Sequence, residues 1–321
     1  MKKLLVAVLA TLGTSVAAFG VTPVEQAAVT RAEQAGTKNW SAQDVADYLP
    51  LKRQQDADVP LGERIAHATM LQNETPFQLR GHILNNASTD CVTYVNRAIA
   101  LAAAKSADEY YKIMYRLLYN GPRKDLATKN HFTEDWIENN RWLLDDVTAD
   151  LGVSTKTFKS VLRYQKLLEK YDHGQPNPQT GAHMDAEGQL RQRELDEARI
   201  KAPPDKTVMV TYIPRENVEA CLTTIKSGDV VLIIQSYHKT GLAPWYAITH
   251  LGIASIEEGE VGFLQSTRNS DPPYRLKEFV ESRASIAGIK VIRPKAHPET
   301  VVSQKVAEMQ LTVNPQRQIA E

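Results

Sequence analysis

Positions 88–95 read STDCVTYV and include one of the two cysteines of the chain, Cys91. Residues at helical spacing follow in CVTYVNRAIALAAAK, which predicts a helix that begins at Cys91 with Ser88, Thr89 or Asp90 as its N-cap. The N–H groups and dipole of a helix start stabilise a thiolate, and they can also bind an oxyanion. We expect Cys91 to be a nucleophile with a lowered pKa, although position alone leaves a buried or disulfide-bonded cysteine open.

A cysteine nucleophile needs a base, and the sequence contains eight histidines. His250 begins the alternating pattern THLGIASI, and a strand edge can hold an imidazole rigidly against a helix start. A histidine in that position is also common as a surface residue or a hydrogen-bonded core group, so this alternative stays open. His131, in KNHFTEDW, lies beside another helix start and fits a cap partner or a substrate contact equally well.

The remaining signals for sites are weak. No H-x-x-x-H, H-E-x-x-H or paired C-x-x-C pattern is present, so we expect no metal site. The second cysteine, Cys221, shares an apolar helical face with Val218, Leu222 and Ile225, which predicts a buried and unreactive thiol. A disulfide between Cys91 and Cys221, in a structural protein without activity, is the alternative.

The elements that must position these residues fall into two kinds. Helix signals dominate the first half, with capping patterns at Thr22, Ser41, Ser106 and Thr133. Short runs rich in Val and Ile follow later and predict strands at 207–213, 229–235, 249–256 and 261–267. Helices first and strands later indicate an α+β fold with an antiparallel sheet.

The chain begins with MKKLLVAVLATLGTSVAAFG, in which two lysines precede a short apolar stretch and a run of small residues. This pattern predicts a cleaved secretory signal at 1–18 and a periplasmic or secreted mature protein without a stable membrane anchor. Lys+Arg and Asp+Glu both number 38. The balanced charge gives no indication of a nucleic-acid partner.

Several blocks of the sequence resemble one family in the same order. TDCVTYV, TKNHFTEDWI, VTYIPRENV, KSGDVVLIIQ, ITHLGIA and FLQST are similar to segments of the NlpC/P60 cysteine peptidases of bacterial cell walls. Within them, the closest resemblance is to the group called domain of unknown function 1460, described as N-acetylmuramoyl-L-alanine amidase-like. Two departures stand out: Glu74 replaces a usual glycine, and Gln265 lies where the wider family often has histidine.

The resemblance implies a papain-like NlpC/P60 core in which a helix-start cysteine packs on an antiparallel sheet, with extra N-terminal and inserted helices. It implies Cys91 as nucleophile, His250 as general base and then acid, and Gln265 as the residue that orients the imidazole; Ser266 is the alternative. The implied substrate is a peptidoglycan fragment cut between N-acetylmuramic acid and L-alanine, with no cofactor. We expect the substrate contacts to come from Asp90, Asn130 and His131.

These inferences divide the chain into segments and leave two other functions open. An endopeptidase that cuts after D-glutamate would use the same machinery, and a non-catalytic cell-wall-binding protein could retain the fold. The predicted segments are the signal peptide at 1–18, an N-terminal helical segment at 19–70, the catalytic domain at 71–300 with a helical insertion at about 106–171 and a polar excursion at about 172–205, and a tail at 301–321.

Overall fold

A computed structural model describes residues 22–72, 75–77, 89–122, 127–169, 196–198, 200–237, 245–267 and 274–309. The fold is the predicted mixture of helices and an antiparallel sheet, α+β. The helices are α1 Pro23–Ala35, α2 Ala42–Gln55, α3 Leu61–Met70, α4 Cys91–Ala103, α5 Ala107–Leu118, α6 Thr133–Asn139, α7 Tyr164–Glu169, α8 Val218–Cys221, α9 Leu276–Glu281 and α10 Glu299–Glu308. The strands are β1 Leu144–Asp146, β2 Lys156–Leu162, β3 Lys206–Pro214, β4 Val230–Tyr237, β5 Trp245–Glu257, β6 Glu260–Leu264, β7 Tyr274–Arg275 and β8 Ile286–Pro294.

The strands form one sheet in the order β2-β3-β8-β4-β5-β6-β7, and β1 also pairs with β8. Each of these pairs is antiparallel. On β5, His250 lies opposite Ile233 of β4, and the register shifts immediately after this pair. Such a bulge re-aims the side chains next to it. It therefore lies where the predicted base must be positioned.

The two faces of the sheet cover different cores. Alternate residues of β4 divide between them: Val230 and Leu232 join the first core, which the helices α1 to α6 and α10 cover. Val231 and Ile233 join the second core, together with Phe279 and other residues of α9. This is the two-residue periodicity of a strand buried on both faces. Helix α4, which begins at Cys91, packs into the first core.

Four predicted segment descriptions need correction or lie outside the described residues. The insertion at 106–171 is not wholly helical, because it contributes β1 and β2 to the sheet. The tail at 301–321 is not a separate tail up to residue 309, because Val302, Val306 and Met309 are buried in the first core. Most of the polar excursion and the whole signal at 1–18 lie outside the described residues. Of the excursion, Ala198 is buried against Leu168 of α7.

In the part of the chain that the structure describes, no helix is long and apolar enough to cross a membrane. Within the same ranges, no three His, Cys, Asp or Glu side chains come together in a group able to hold a metal ion.

Candidate active site

Helix α4 begins as the sequence predicts, and its N-cap is Asp90. The Asp90 carboxylate accepts a hydrogen bond of 2.7 Å from the backbone N–H of Thr93, which fixes the start of the helix. Cys91 is the first helical residue, partly buried against the first core. Both cysteines are free thiols. The alternative of a disulfide-linked structural protein is therefore wrong.

The sulfur of Cys91 lies among backbone N–H groups. The backbone N–H groups of Leu251 in β5 and of Val92 and Cys91 at the helix start lie near enough to the sulfur to favour its thiolate. The helix-start N–H groups thus stabilise negative charge at this position, as the sequence predicts.

The contact with Leu251 is possible because one edge of β5 is open there. Ala254 exchanges both of its backbone hydrogen bonds with the residues just before β4, at 2.8 Å each. Since alternate residues of an antiparallel strand bond to opposite neighbours, Ile253 and Leu251 direct their backbone groups toward β6. Ile253 pairs with Leu264, the last residue of β6, so Leu251 lies beyond the end of this pairing.

The expected low pKa of Cys91 is wrong for this structure. Burial, reinforced by the negative charge of Asp90, raises the pKa of the Cys91 thiol to about 11 despite the helix-start N–H groups. The resting site therefore holds a thiol. Attack on a carbonyl then requires a base to remove the proton as the reaction proceeds.

The predicted base and its predicted partner are in contact. The Nε2 atom of His250 lies 2.6 Å from Oε1 of Gln265. An amide oxygen only accepts, so Nε2 carries the proton and Nδ1 of a neutral ring is left as the basic nitrogen. Ser266 has another contact, because its hydroxyl donates to the backbone carbonyl of Thr89 over 3.4 Å. The geometry therefore favours Gln265 over Ser266 as the residue that orients the imidazole.

His250 is surrounded by apolar rings on its other side. Its ring centroid lies 6.1 Å from that of Phe263, edge-on, and 6.4 Å from that of Phe279, with 30° between the planes. Burial lowers the pKa of His250, and the positive charge of Arg283 acts in the same direction. The imidazole is therefore uncharged near neutral pH and able to accept a proton.

A closed set of contacts links the helix start to the histidine. Leu251, which contacts the Cys91 sulfur, follows His250 in β5. Gln265, which contacts His250, precedes Ser266, and Ser266 bonds to the chain two residues before Cys91. The structure thus brings a thiol, an imidazole, an amide and helix-start N–H groups to the middle of β5.

Asn130 and His131 line a separate cavity of about 290 Å³ between α6, α7 and the chain around Lys206. The Asn130 amide donates to the carbonyl of Leu117 at 2.9 Å and accepts from Asn139 at 2.7 Å, so it fixes the cavity wall. Asp90, the third predicted substrate contact, is the N-cap of α4.

Sequence reasoning missed other polar residues in this cavity. Asp135 is buried, accepts hydrogen bonds from the Tyr164 hydroxyl at 2.8 and 2.9 Å and forms an ion pair of 2.8 Å with Lys206. These three residues come from distant parts of the chain, and no local pattern connects them. In the sequence, Asp135 is notable only as part of the segment TKNHFTEDWI, which resembles the family.

Cys221 meets its expectation of a buried thiol. It is fully buried in the second core, its sulfur contacts the carbonyl of Val218 at 3.1 Å, and burial raises its pKa to about 11.

A family model described as AmiA-like, N-acetylmuramoyl-L-alanine amidase-like, matches residues 62–284. The chain belongs to this family. The match spans α3 to α9 and includes the whole candidate site of the AmiA-like protein. A comparison with curated proteins finds no match.

Solved structures of low sequence identity share the fold of this AmiA-like protein. A Legionella pneumophila str. Philadelphia 1 protein of the domain-of-unknown-function 1460 family is 20% identical, with a TM-score of 0.62 over 78% of this chain and 95% of its own. An N-acetylmuramoyl-L-alanine amidase from Bacteroides uniformis ATCC 8492 is 18% identical, with a TM-score of 0.53 over 73% of this chain and 99% of its own.

Proposed function

We propose that this AmiA-like protein is a cysteine amidase that hydrolyses the bond between N-acetylmuramic acid and L-alanine in peptidoglycan fragments. The observation that carries the proposal is the thiol of Cys91 at a helix start, in contact with the strand that bears His250, whose imidazole is paired with Gln265. Membership of an amidase-like family supports the reaction class. We further propose that the core is papain-like, of the NlpC/P60 type, since a helix-start cysteine packs on an antiparallel sheet.

In the first chemical step, Nδ1 of His250 takes the proton of the Cys91 thiol while the sulfur attacks the lactyl carbonyl carbon of the muramoyl group. The carbonyl oxygen gains the negative charge, and the N–H groups at the start of α4 lie where they can bind it. The coupling of proton transfer to attack follows from the two pKa values, which keep both groups neutral at rest.

In the second step, the intermediate collapses and the carbon–nitrogen bond breaks. The imidazolium of His250 returns its proton to the amine of L-alanine, which leaves with the stem peptide. A muramoyl thioester on Cys91 remains. Water then attacks this thioester, with His250 accepting a proton from the water and returning it to the sulfur, so that free muramic carboxylate and the resting thiol are restored.

The cavity near α6 is a suitable place for the sugar side of the substrate. Its volume of about 290 Å³ is close to the lower end of ligand pockets. The lining includes amide, hydroxyl and ion-paired groups, among them Asn130, Asp135 and Lys206. It also includes apolar groups such as Leu168 and Pro203. Such an amphipathic site fits an acetylated sugar, which has both polar edges and apolar faces.

Cell-wall fragments lie outside the cytoplasm, and the predicted signal at 1–18 supports a periplasmic or secreted location for the protein. The proposed chemistry uses no metal. We expect the activity to persist in EDTA.

Mass spectrometry of the products from a purified muramoyl-tetrapeptide tests this proposal. We expect a free stem peptide that begins with L-alanine, and no product from Cys91→Ala. An L-Ala-D-Glu dipeptide still attached to the sugar would instead identify an endopeptidase that cuts after D-glutamate. Binding without any product, in a protein shown to be folded, would favour the non-catalytic cell-wall-binding alternative.

A further inference from the structure

Arg283 lies just after α9 and contacts the same aromatic ring as the imidazole of His250. Its guanidinium carbon is 4.1 Å from the centroid of Phe279 and 5.7 Å from that of Tyr274. Phe279 is in turn the ring that lies alongside His250. At 4.1 Å, the guanidinium lies in cation–π contact with the face of the phenylalanine. Phe279 is therefore a shared neighbour of the imidazole and the guanidinium.

The surrounding structure holds this arrangement in place. Arg215 donates to the backbone carbonyls of Glu281 and Arg283, which fixes the chain that carries the guanidinium. Phe279 is 4% exposed and packs against Phe263 with 4.9 Å between ring centroids. A charge held on such rigid supports has a constant effect on its neighbours.

We propose that Arg283, held against the ring of Phe279, is a positioning residue that keeps the imidazole of His250 uncharged in the resting site. The inference rests on the proposed role of His250 as the base. A fixed positive charge disfavours a second one nearby, and it is screened little where the groups around it are buried. The pKa of His250 is lowered partly for this reason.

This arrangement favours both proton transfers of the proposed reaction. A neutral imidazole is the form that accepts the thiol proton, so a low pKa keeps the base available in mildly acidic conditions. The imidazolium formed during attack is a stronger acid beside a cation, so it returns its proton more readily to the leaving amine. Among the described residues, the elements around His250 also carry other titratable or charged side chains: Asp90 and Cys91 at the start of α4, Tyr237 in β4, Glu260 in β6, Tyr274 and Arg275 in β7, and Lys277, Glu278 and Glu281 on α9.

NMR titration of the full chain with labelled histidine tests the inference without any substrate. The signal of His250 is assigned by its loss in His250→Gln. We expect Arg283→Leu and Arg283→Gln to move the His250 midpoint to higher pH, whereas Arg283→Lys, which keeps the charge, stays near the wild type. Arg275→Leu is the matched control, because Arg275 is an exposed arginine in β7, close in sequence to α9.

Hydrolysis of the muramoyl-tetrapeptide gives the second readout. We expect the acid limb of the kcat/KM profile of Arg283→Leu to move to higher pH. One pH unit below the wild-type midpoint, kcat/KM should fall about fivefold, whereas on the alkaline plateau it should change by less than about twofold. An unchanged His250 midpoint in both neutral variants, or an equal shift in Arg275→Leu, would overturn the inference. A wild-type protein without hydrolysis would overturn the proposed function alone, since the titration stands by itself.

Discussion

Two opposing influences act on the proton of Cys91. The helix-start N–H groups and Leu251 favour the thiolate, while burial and the carboxylate of Asp90 favour the thiol and prevail. Asparagine is as good an N-cap as aspartate, so Asp90→Asn removes the charge and keeps the cap. We expect this variant to lower the pKa of Cys91 and to speed its alkylation by iodoacetamide at pH 8 about threefold. Wild-type Cys91 should react slowly at pH 7 and faster as the pH approaches 11.

Peptide mapping by mass spectrometry separates the reaction of Cys91 from that of buried Cys221. Equal or slower alkylation of Asp90→Asn would show that the carboxylate does not raise the pKa of the thiol.

We propose that Gln265 fixes the tautomer of His250, because its amide oxygen lies 2.6 Å from Nε2. Gln265→Ala removes the acceptor 2.6 Å from Nε2, so the ring loses its orientation. We expect kcat to fall about 10- to 100-fold, less than in Cys91→Ala. Ser266→Ala is the matched control, since Ser266 contacts Thr89 instead and its loss should change kcat by less than about threefold. Full activity in Gln265→Ala with a large loss in Ser266→Ala would transfer the role to Ser266.

The sequence predicts the identity of these site residues better than their ionisation. The pairing of His250 with Gln265 comes from the family resemblance, since Gln265 lies where the wider family often has histidine, and the two side chains are in contact. The pKa of Cys91 could not be predicted, because it depends on how deeply α4 packs against β5 and on the side to which Leu251 directs its N–H. Both depend on tertiary structure.

Among the elements, strands with an alternating or wholly apolar sequence pattern could be predicted from the sequence. The inner strand β8 could not. Its pattern is interrupted by Gly288 and by Lys290, which is buried with its ammonium group bonded to Asp146 of β1. A buried lysine needs a partner for its charge, and here that partner is remote in sequence, so no local pattern predicts it. Strand β1 could not be predicted for the same reason, because it pairs with β8 and supplies Asp146 as the partner of Lys290.

Gly288 is required by the close approach of β3 to β8. A Cβ atom at this position would lie 2.0 Å from the carbonyl oxygen of Ile213, so the two strands would have to separate. We expect Gly288→Ala to lower the free energy of unfolding by about 3 kcal/mol. Ser285→Ala, at an exposed position just before β8, should change it by less than about 0.5 kcal/mol. Urea denaturation followed by circular dichroism measures both, and a Gly288→Ala variant of wild-type stability would contradict the clash.

At the scale of the whole molecule, the two ends of the described chain complete one core. Val29, Leu49 and Ile65 from the N-terminal helices and Val302 from α10 are buried together with α4. The predicted boundaries at residues 70 and 301 therefore do not separate independent hydrophobic cores. We infer that the helices before residue 70 support the start of α4, since α3 and α4 pack together.

A buried cluster between these N-terminal helices makes the stability of the protein sensitive to acid. His67 lies with its Nε2 3.5 Å from Oε1 of Glu33, and burial lowers the pKa of His67 to about 3. The unfolded chain, with a histidine pKa near 6.5, binds more protons than the folded one between about pH 6.5 and pH 3. Stability is thus lost as the pH falls through this window, whereas Glu33, whose pKa burial raises, acts in the opposite direction.

Thermal melting between pH 7 and pH 4 tests this acid sensitivity. The histidine contributes up to about 1.4 kcal/mol per pH unit, or about 2–4 °C in Tm for a chain of this size. In His67→Gln the neutral amide cannot take up a proton, so we expect the Tm of this variant to decline less steeply with acid than that of the wild type. His297→Gln, at an exposed position, is the matched control and should follow the wild-type curve. Parallel decline in all three proteins would show that other groups determine the acid sensitivity, whereas a flatter curve for His67→Gln alone would assign it to the buried imidazole that links α3 to α1.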